Sequence, residues 1–218
     1  MILHLVTDRR RLAAGTDPEA DPTSARECLL TQTDYAIDAG IDYVQVREPD
    51  LGGALLADLV TELVRRASGS RTQILVNDRL DVAVTTGAHG VHLRGDSISV
   101  AEARRLAPPP FIIGRSVHSL EEAAAAADAD YLIAGTVWRS ASKPAAHALL
   151  GPEGFSGIAR AVRTPVLAIG GVTVSRARTV AALGGAGIAA IGLFMNASPG
   201  ADCRAESLRG IVGAVRAV

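Results

Sequence analysis

The sequence predicts a single (β/α)8 barrel spanning residues 1–218, and three observations carry that expectation. Eight short apolar, largely β-branched runs are each followed by a longer segment with helical spacing, the pattern of parallel strands joined by crossover helices. Eight such units within 218 residues match the size of a compact barrel. The first run leads into Thr7-Asp8-Arg9-Arg10-Arg11, where an open dinucleotide-binding sheet would place G-x-G-x-x-G.

In chain order the strands are expected at Ile2–Thr7, Tyr43–Arg47, Gln73–Val76, Gly90–Leu93, Phe111–Gly114, Tyr131–Ala134, Val166–Ile169 and Ile188–Gly192. Three of the helices carry a Ser-x-x-Glu start signal, Ser24 with Glu27, Ser99 with Glu102 and Ser119 with Glu122, in which hydroxyl and carboxylate satisfy reciprocal backbone N–H groups. Arg11 to Pro22, with Gly15 and Pro18, reads as an exposed loop, and Ala141 to Gly154 as a long loop after the sixth strand.

Hydrophobic residues make up 48% of the chain and aromatics only 3%, so the core is expected to consist of small branched side chains rather than stacked rings. A net charge of −1 removes the electrostatic reason to expect nucleic acid or an anionic membrane surface as partner. Cys28 and Cys203 lie far apart with no Cys/His cluster, which reads as two shielded thiols in a reducing cytoplasm rather than a disulfide framework or zinc site. The apolar start is too short for a signal peptide, and no run approaches a membrane span. A cytoplasmic location is expected.

In a barrel, the residues just past each strand converge on one rim. Here they are Thr7 and Asp8, Arg47 and Glu48, Asn77 and Asp78, Arg94 and Asp96, Arg115, Ser116 and His118, Thr136, Lys143, Gly170 and Gly171, and Gly192 with Leu193. The turn Ile169-Gly170-Gly171-Val172-Thr173, together with Gly192 and Leu193, lets backbone N–H groups approach an anion at the recurrent phosphate position of such barrels, so a phosphorylated ligand is expected. Arg47, Arg115 and Lys143 add permanent cations suited to a second anionic group. The run Arg9-Arg10-Arg11 reads as solvated side chains. Asp78 is a candidate Mg²⁺ ligand, whereas Asp81 reads as a capping or salt-bridging residue. Among five histidines His118 stands out, after the fifth strand and before a capped helix, where a neutral imidazole can move protons. His92 reads as a packed barrel residue, and His4, His89 and His147 have no special context.

Taken in order, Leu5-Val6-Thr7-Asp8-Arg9, Val44-Gln45-Val46-Arg47-Glu48, Val76-Asn77-Asp78-Arg79-Leu80-Asp81, Gly90-Val91-His92-Leu93, the stretch from Ile113 to Ala123, Ser142-Lys143 and Ala168-Ile169-Gly170-Gly171-Val172 resemble the thiamine phosphate synthase/TenI superfamily through almost the whole chain. The resemblance implies a (β/α)8 barrel acting on a thiazole phosphate, and points to a homodimer as one assembly open to the chain. It also implies that Arg47, Asn77, Arg115, Ser116, Thr136 and Lys143 line the substrate.

Two activities divide the superfamily. The synthase joins hydroxymethylpyrimidine diphosphate to a thiazole phosphate and resembles a site needing Mg²⁺ and several cations; TenI is a tautomerase that moves a proton without metal. Against the synthase pattern, Pro49 stands where a diphosphate-binding lysine is expected, Ser97 where a metal aspartate is expected with Asp96 displaced by one, and Gly192 in place of a serine. Arg47, Asn77, Asp78 and Lys143 survive. The stretch Gly114 to Ala123 looks closer to TenI, although TenI proteins can lack an acid at the position of Asp78. The resulting expectation is a metal-independent thiazole tautomerase, an isomerase with no cofactor, in which Arg47 faces the substrate carboxylate and His118 relays the proton. The alternatives are the Mg²⁺-dependent synthase, with Asp78 as metal ligand, and a barrel that binds phosphorylated ligands without turning them over.

Overall fold

A computed structural model describes residues 1–12, 22–140, 148–195 and 201–218. Eight parallel strands close a barrel in sequence order, β1 (Ile2–Val6), β2 (Tyr43–Val46), β3 (Gln73–Asn77), β4 (Gly90–Leu93), β5 (Ile112–Val117), β6 (Tyr131–Gly135), β7 (Val166–Ile169) and β8 (Gly187–Ala190), with β8 pairing back onto β1. All eight expected strands are present, most within a residue of the expected ends. Two differ more. β5 continues to Val117 because Arg115, Ser116 and Val117 find ladder partners in Leu132, Ile133 and Ala134 of β6, so two rim residues are strand residues. β8 ends at Ala190, and Gly192 instead opens a short helix.

The sheet separates two cores. Outside it, branched and Ala side chains pack against the surrounding helices; on α2 (Gly53–Ala67), Leu56, Leu59, Val60, Leu63 and Ala67 fall at helical spacing on the buried face. Inside, Leu75, Tyr131, Ile133, Leu167 and Ala189 fill the barrel. The expectation of a core without stacked rings holds only for the outer layer. Within the barrel Tyr43 stacks on Tyr131 at 5.3 Å and 27°, and His4 and His92 pack on the same ring. Gly114 makes the space, since a Cβ there would collide with the Tyr131 ring.

Helix starts follow the hydroxyl signals in two of three cases. Ser99 and Glu102 form the complete reciprocal box at α4 (Val100–Leu106). At α5 (Leu120–Ala125) Ser119 accepts from Glu122 N, but the Glu122 carboxylate accepts from His118 N at 2.7 Å instead. Ser24 does not mark the start, because α1 (Pro22–Ala39) already begins at Pro22, whose fixed φ suits a first helical position, and Ser24 lies within its first turn. The remaining helices are α3 (Leu80–Thr85), α6 (Gly151–Ala161), α7 (Val174–Ala182, capped by Thr173), α8 (Gly192–Met195) and α9 (Ala201–Arg216). Among the described residues, no helix is long and apolar enough to cross a membrane. Ser142, Lys143 and His147, Gly15 and Pro18, and the Cys203 side chain lie outside the described residues.

Candidate functional site

Because the strands are parallel, their C-terminal ends share one rim, and the structure brings the expected rim residues there in barrel order, Lys143 lying outside the described residues. Over β1 and β2 the reading of Arg9-Arg10-Arg11 as solvated side chains is corrected at Arg9, while Arg10 and Arg11 stay at the surface in ion pairs. Arg9 is buried and donates to Glu48 at 3.0 Å and to Asp50 at 2.8 and 2.5 Å; Arg10 lies 3.2 Å from Asp50 and Arg11 3.1 Å from Asp8. Loop closure between sequence-distant strands supplies carboxylates that the run itself does not show. Glu48, also buried, accepts from Thr7 Oγ1 at 2.6 Å and from Arg9 N. Burial pushes its carboxyl up, against the pull of Thr7 and Arg9, while the Arg9 fork holds Asp50 down at about 2. Thr7 Oγ1 in turn accepts from Arg47 N at 2.9 Å. The exposed Arg47 guanidinium has no protein partner among the described residues.

Beneath the rim lies a polar layer in which His92 is a packed barrel residue as expected, while the sequence reading assigned no role to His4 or Gln45. Burial holds His4 at about 4, below its ordinary 6.5, so the ring is neutral. Its Nε2 donates to Gln45 Oε1 at 2.8 Å, leaving the buried Nδ1 without a partner. Gln45 Nε2 donates to Asn77 Oδ1 at 2.8 Å, so Asn77 keeps its two amide N–H donors for the mouth. His92, also driven down by burial, bonds Tyr131 OH at 3.0 Å and Ser116 Oγ at 2.8 Å. The available signal was a polar residue, His4 or Gln45, inside an otherwise apolar strand that both layers bury.

A neutral buried histidine has a pH consequence. The unfolded chain takes up a proton below 6.5 while folded His4 refuses it until about 4, so stability present above 6.5 is lost as pH falls through that window. At 1.36 kcal/mol per unit the loss is about 3 kcal/mol, and His92 acts in the same direction. In urea unfolding from pH 7 to 4, His4→Gln should lose about 3 kcal/mol less than the parent chain over that range; equal slopes would exclude His4 as the source.

Asp78 sits at φ 64°, in the left-handed region that Asp tolerates better than most residues, where its N–H donates to His92 O at 2.9 Å. Its Oδ1 accepts from Ser97 Oγ, and its Oδ2 faces Arg94 Nη1 at 3.6 Å. Arg94 Nη2 donates to Asp96 at 2.8 Å. Arg115 donates to the carbonyls of Gly95 at 2.9 Å and Ile98 at 2.6 Å, clamping the loop after β4; it is committed to protein and its expected substrate contact is replaced by this one. Asp81 is held at about 2 by Arg79, a surface pair as expected.

A divalent ion is implied for this position by the synthase pattern, and the donor set does not fit it. Mg²⁺ requires open oxygen ligands in octahedral geometry. Asp78 already has both oxygens facing donors, Asp96 faces a guanidinium, and a permanent cation lies between them. Among the described residues no group of three or more His, Cys, Asp or Glu is placed to hold a metal.

Over β5 and β6, His118 is exposed, with Nδ1 donating to Gly135 O at 2.6 Å, which leaves Nε2 without a hydrogen bond among the described residues. Thr136 is buried, with Cγ2 in the space a Cβ on Gly170 would need. Gly170 and Gly171 take φ of 95° and 61°, and a Cβ on Gly171 would strike Arg139 O and Trp138. Arg176 closes this corner, donating to Gly171 O at 2.5 Å with its guanidinium 5.0 Å from the Trp138 ring centroid. Next to it Gly192 and Leu193 open α8, whose first N–H groups have no intrahelical acceptor. Gln32 of α1 anchors α8 through Phe194 O at 2.6 Å. Strands β7 and β8 stand opposite β3 and β4 across the barrel, so the rim offers backbone donors on one side and guanidinium groups on the other.

The family model described as thiamine monophosphate synthase matches residues 16–194. The thiamine-phosphate synthase of Azorhizobium caulinodans is 34% identical over 212 residues, covering 96% of this chain and 94% of that protein. That of Methanoregula boonei is 42% identical over 159 residues, covering 72% and 74%. Among solved structures, the thiamine phosphate pyrophosphorylase from Pyrococcus furiosus shares 32% identity with a TM-score of 0.78, over 98% of this chain and 96% of that one. These relatives overturn the expectation of a thiazole tautomerase and of an isomerase. The TenI-like stretch from Gly114 to Ala123 misled for a physical reason: Gly114 makes room for Tyr131, Arg115 clamps a loop, and Ser119 and Glu122 cap α5 and hold His118 N, all of which are scaffold roles.

Proposed function

This chain belongs to the thiamine monophosphate synthase family, and on that premise we propose that it is a thiamine-phosphate synthase, a transferase that joins hydroxymethylpyrimidine diphosphate to a thiazole phosphate and releases diphosphate. The single observation that carries the reading is the two-sided rim, with backbone donors over β7 and β8 and guanidinium groups over β2 and β4, as two different phosphorylated substrates require. A cytoplasmic enzyme with Cys28 left as a free thiol accords with it.

In this reading the turn at Gly170 and Gly171, with Gly192 and Leu193, holds the thiazole phosphate by N–H groups. Arg47 and the Asn77 amide, oriented through Gln45, hold the pyrimidine substrate, with Ser116 and Thr136 on the wall and Lys143 as a further cation. The bond from the pyrimidine methylene carbon to diphosphate oxygen breaks, its electron pair leaving with diphosphate. The thiazole nitrogen lone pair forms the new C–N bond. That nitrogen carries no hydrogen, so no proton has to move and His118 needs no relay role. The barrel contributes alignment of two reactants and fixed charge where the diphosphate departs.

The test is direct. Purified protein with both substrates and Mg²⁺ should form thiamine phosphate, read as thiochrome fluorescence, and Arg47→Ala should lower kcat/KM by about 10- to 100-fold for loss of one charge-assisted anion contact. Folded protein that binds thiazole phosphate yet forms no product would overturn the reading.

A further inference from the structure

Resting on the synthase reading, we propose that Arg94 is the cation that receives the diphosphate of the pyrimidine substrate over β3 and β4, at the place where the two flanking carboxylates would otherwise present a divalent ion. Arg94 directly follows β4, and its side chain is 54% exposed. Among the described residues its guanidinium makes one hydrogen bond, to Asp96, and lies 3.6 Å from Asp78. A guanidinium has five N–H donors in a fork that matches phosphate oxygens, so most of this fork is open to a ligand.

The surroundings fix the position of Arg94 rather than that of a metal. Ser97 Oγ accepts from Arg94 N at 2.8 Å and donates to Asp78 Oδ1, tying the residue to the turn after β3. Arg115 holds the carbonyls of Gly95 and Ile98, so the loop that carries Arg94 is pinned at three points. The Asp96 side chain is 69% exposed and can swing to water when a diphosphate takes its place on Nη2. Arg115 is spent on that loop, so Arg94 is the guanidinium that meets the anion against the Asp78 and Asp96 carboxylates.

The experiment is calorimetric titration of the full chain with inorganic diphosphate, once in EDTA and once in Mg²⁺, with melting temperatures of the variants measured alongside. The parent chain should bind in EDTA, with less than about threefold change in Kd on adding Mg²⁺, and Arg94→Ala should weaken binding about 10- to 100-fold, the loss of one charge-assisted contact. Arg94→Lys should recover part of it, since the charge remains and the fork is lost. Diphosphate binding that appears only with Mg²⁺, or binding unchanged in Arg94→Ala, would overturn the proposal. Product formation in the synthase assay together with strictly Mg²⁺-dependent diphosphate binding would leave the synthase standing and remove the role of Arg94. Arg94-dependent binding in EDTA without product would do the reverse.

Discussion

Glu48→Ala should lower the unfolding free energy by about 3–5 kcal/mol, because it leaves the buried Arg9 guanidinium without one of its two carboxylates. Glu48 accepts from Thr7 Oγ1, from Arg9 N and from Arg9 Nη1, so its removal also frees the hydroxyl that orders Arg47 N. Asp50 alone cannot compensate, since Arg9 already uses it and Arg10 shares it. Urea unfolding should show the midpoint fall with an unchanged m-value. The double variant Glu48→Ala/Arg9→Met should be more stable than Glu48→Ala, because it leaves no buried guanidinium deprived of one of its two carboxylates, and Asp50 keeps Arg10. A loss below about 1 kcal/mol in Glu48→Ala would show that the network is not a buried pair in the energetic sense.

Gly171→Val should damage both stability and catalysis. A β-branched residue at φ 61° costs about 1–2 kcal/mol or more in backbone conformation, and its Cβ would strike the Arg139 carbonyl and Trp138, adding about 1–3 kcal/mol. The Arg139 contact is with backbone, which cannot rotate away, so the turn must shift. A displacement of about 1 Å in a substrate-positioning element costs about 10²-fold. The expected result is a drop of that size in kcat/KM for thiazole phosphate, with Mg²⁺-free diphosphate binding unchanged, because that anion is held on the opposite side of the rim. A variant with the parent KM for thiazole phosphate would remove the Gly170–Gly171 turn from the phosphate site.

Legibility in the sequence followed the range of the interactions. Strand and helix identities came from periodicity within a few residues, and the Ser99 and Ser119 caps from a three-residue spacing. The end of β5 was misplaced because Arg115 and Ser116 look like loop residues until β6 offers them ladder partners. Ser24 fits the capping pattern yet does not mark the helix start, because Pro22 starts the helix upstream. The TenI-like decapeptide likewise carried a local signal whose residues turned out to serve the scaffold, and it pointed to the wrong reaction.

By itself the sequence determined the barrel, the rim on which its polar residues gather and the glycine turn after β7, since each rests on short-range pattern and on the rule that parallel strands end on one face. Only the tertiary structure decided which charges are spent and which are free. Arg9 is consumed by carboxylates 39 and 41 positions away, Arg115 by the loop after β4, while among the described residues Arg47 has no side-chain partner and Arg94 spends one hydrogen bond on Asp96. The physical reason is that a charged side chain takes its role from the groups brought within about 3 Å of it. In a closed barrel those groups come from neighbouring loops that are distant in sequence.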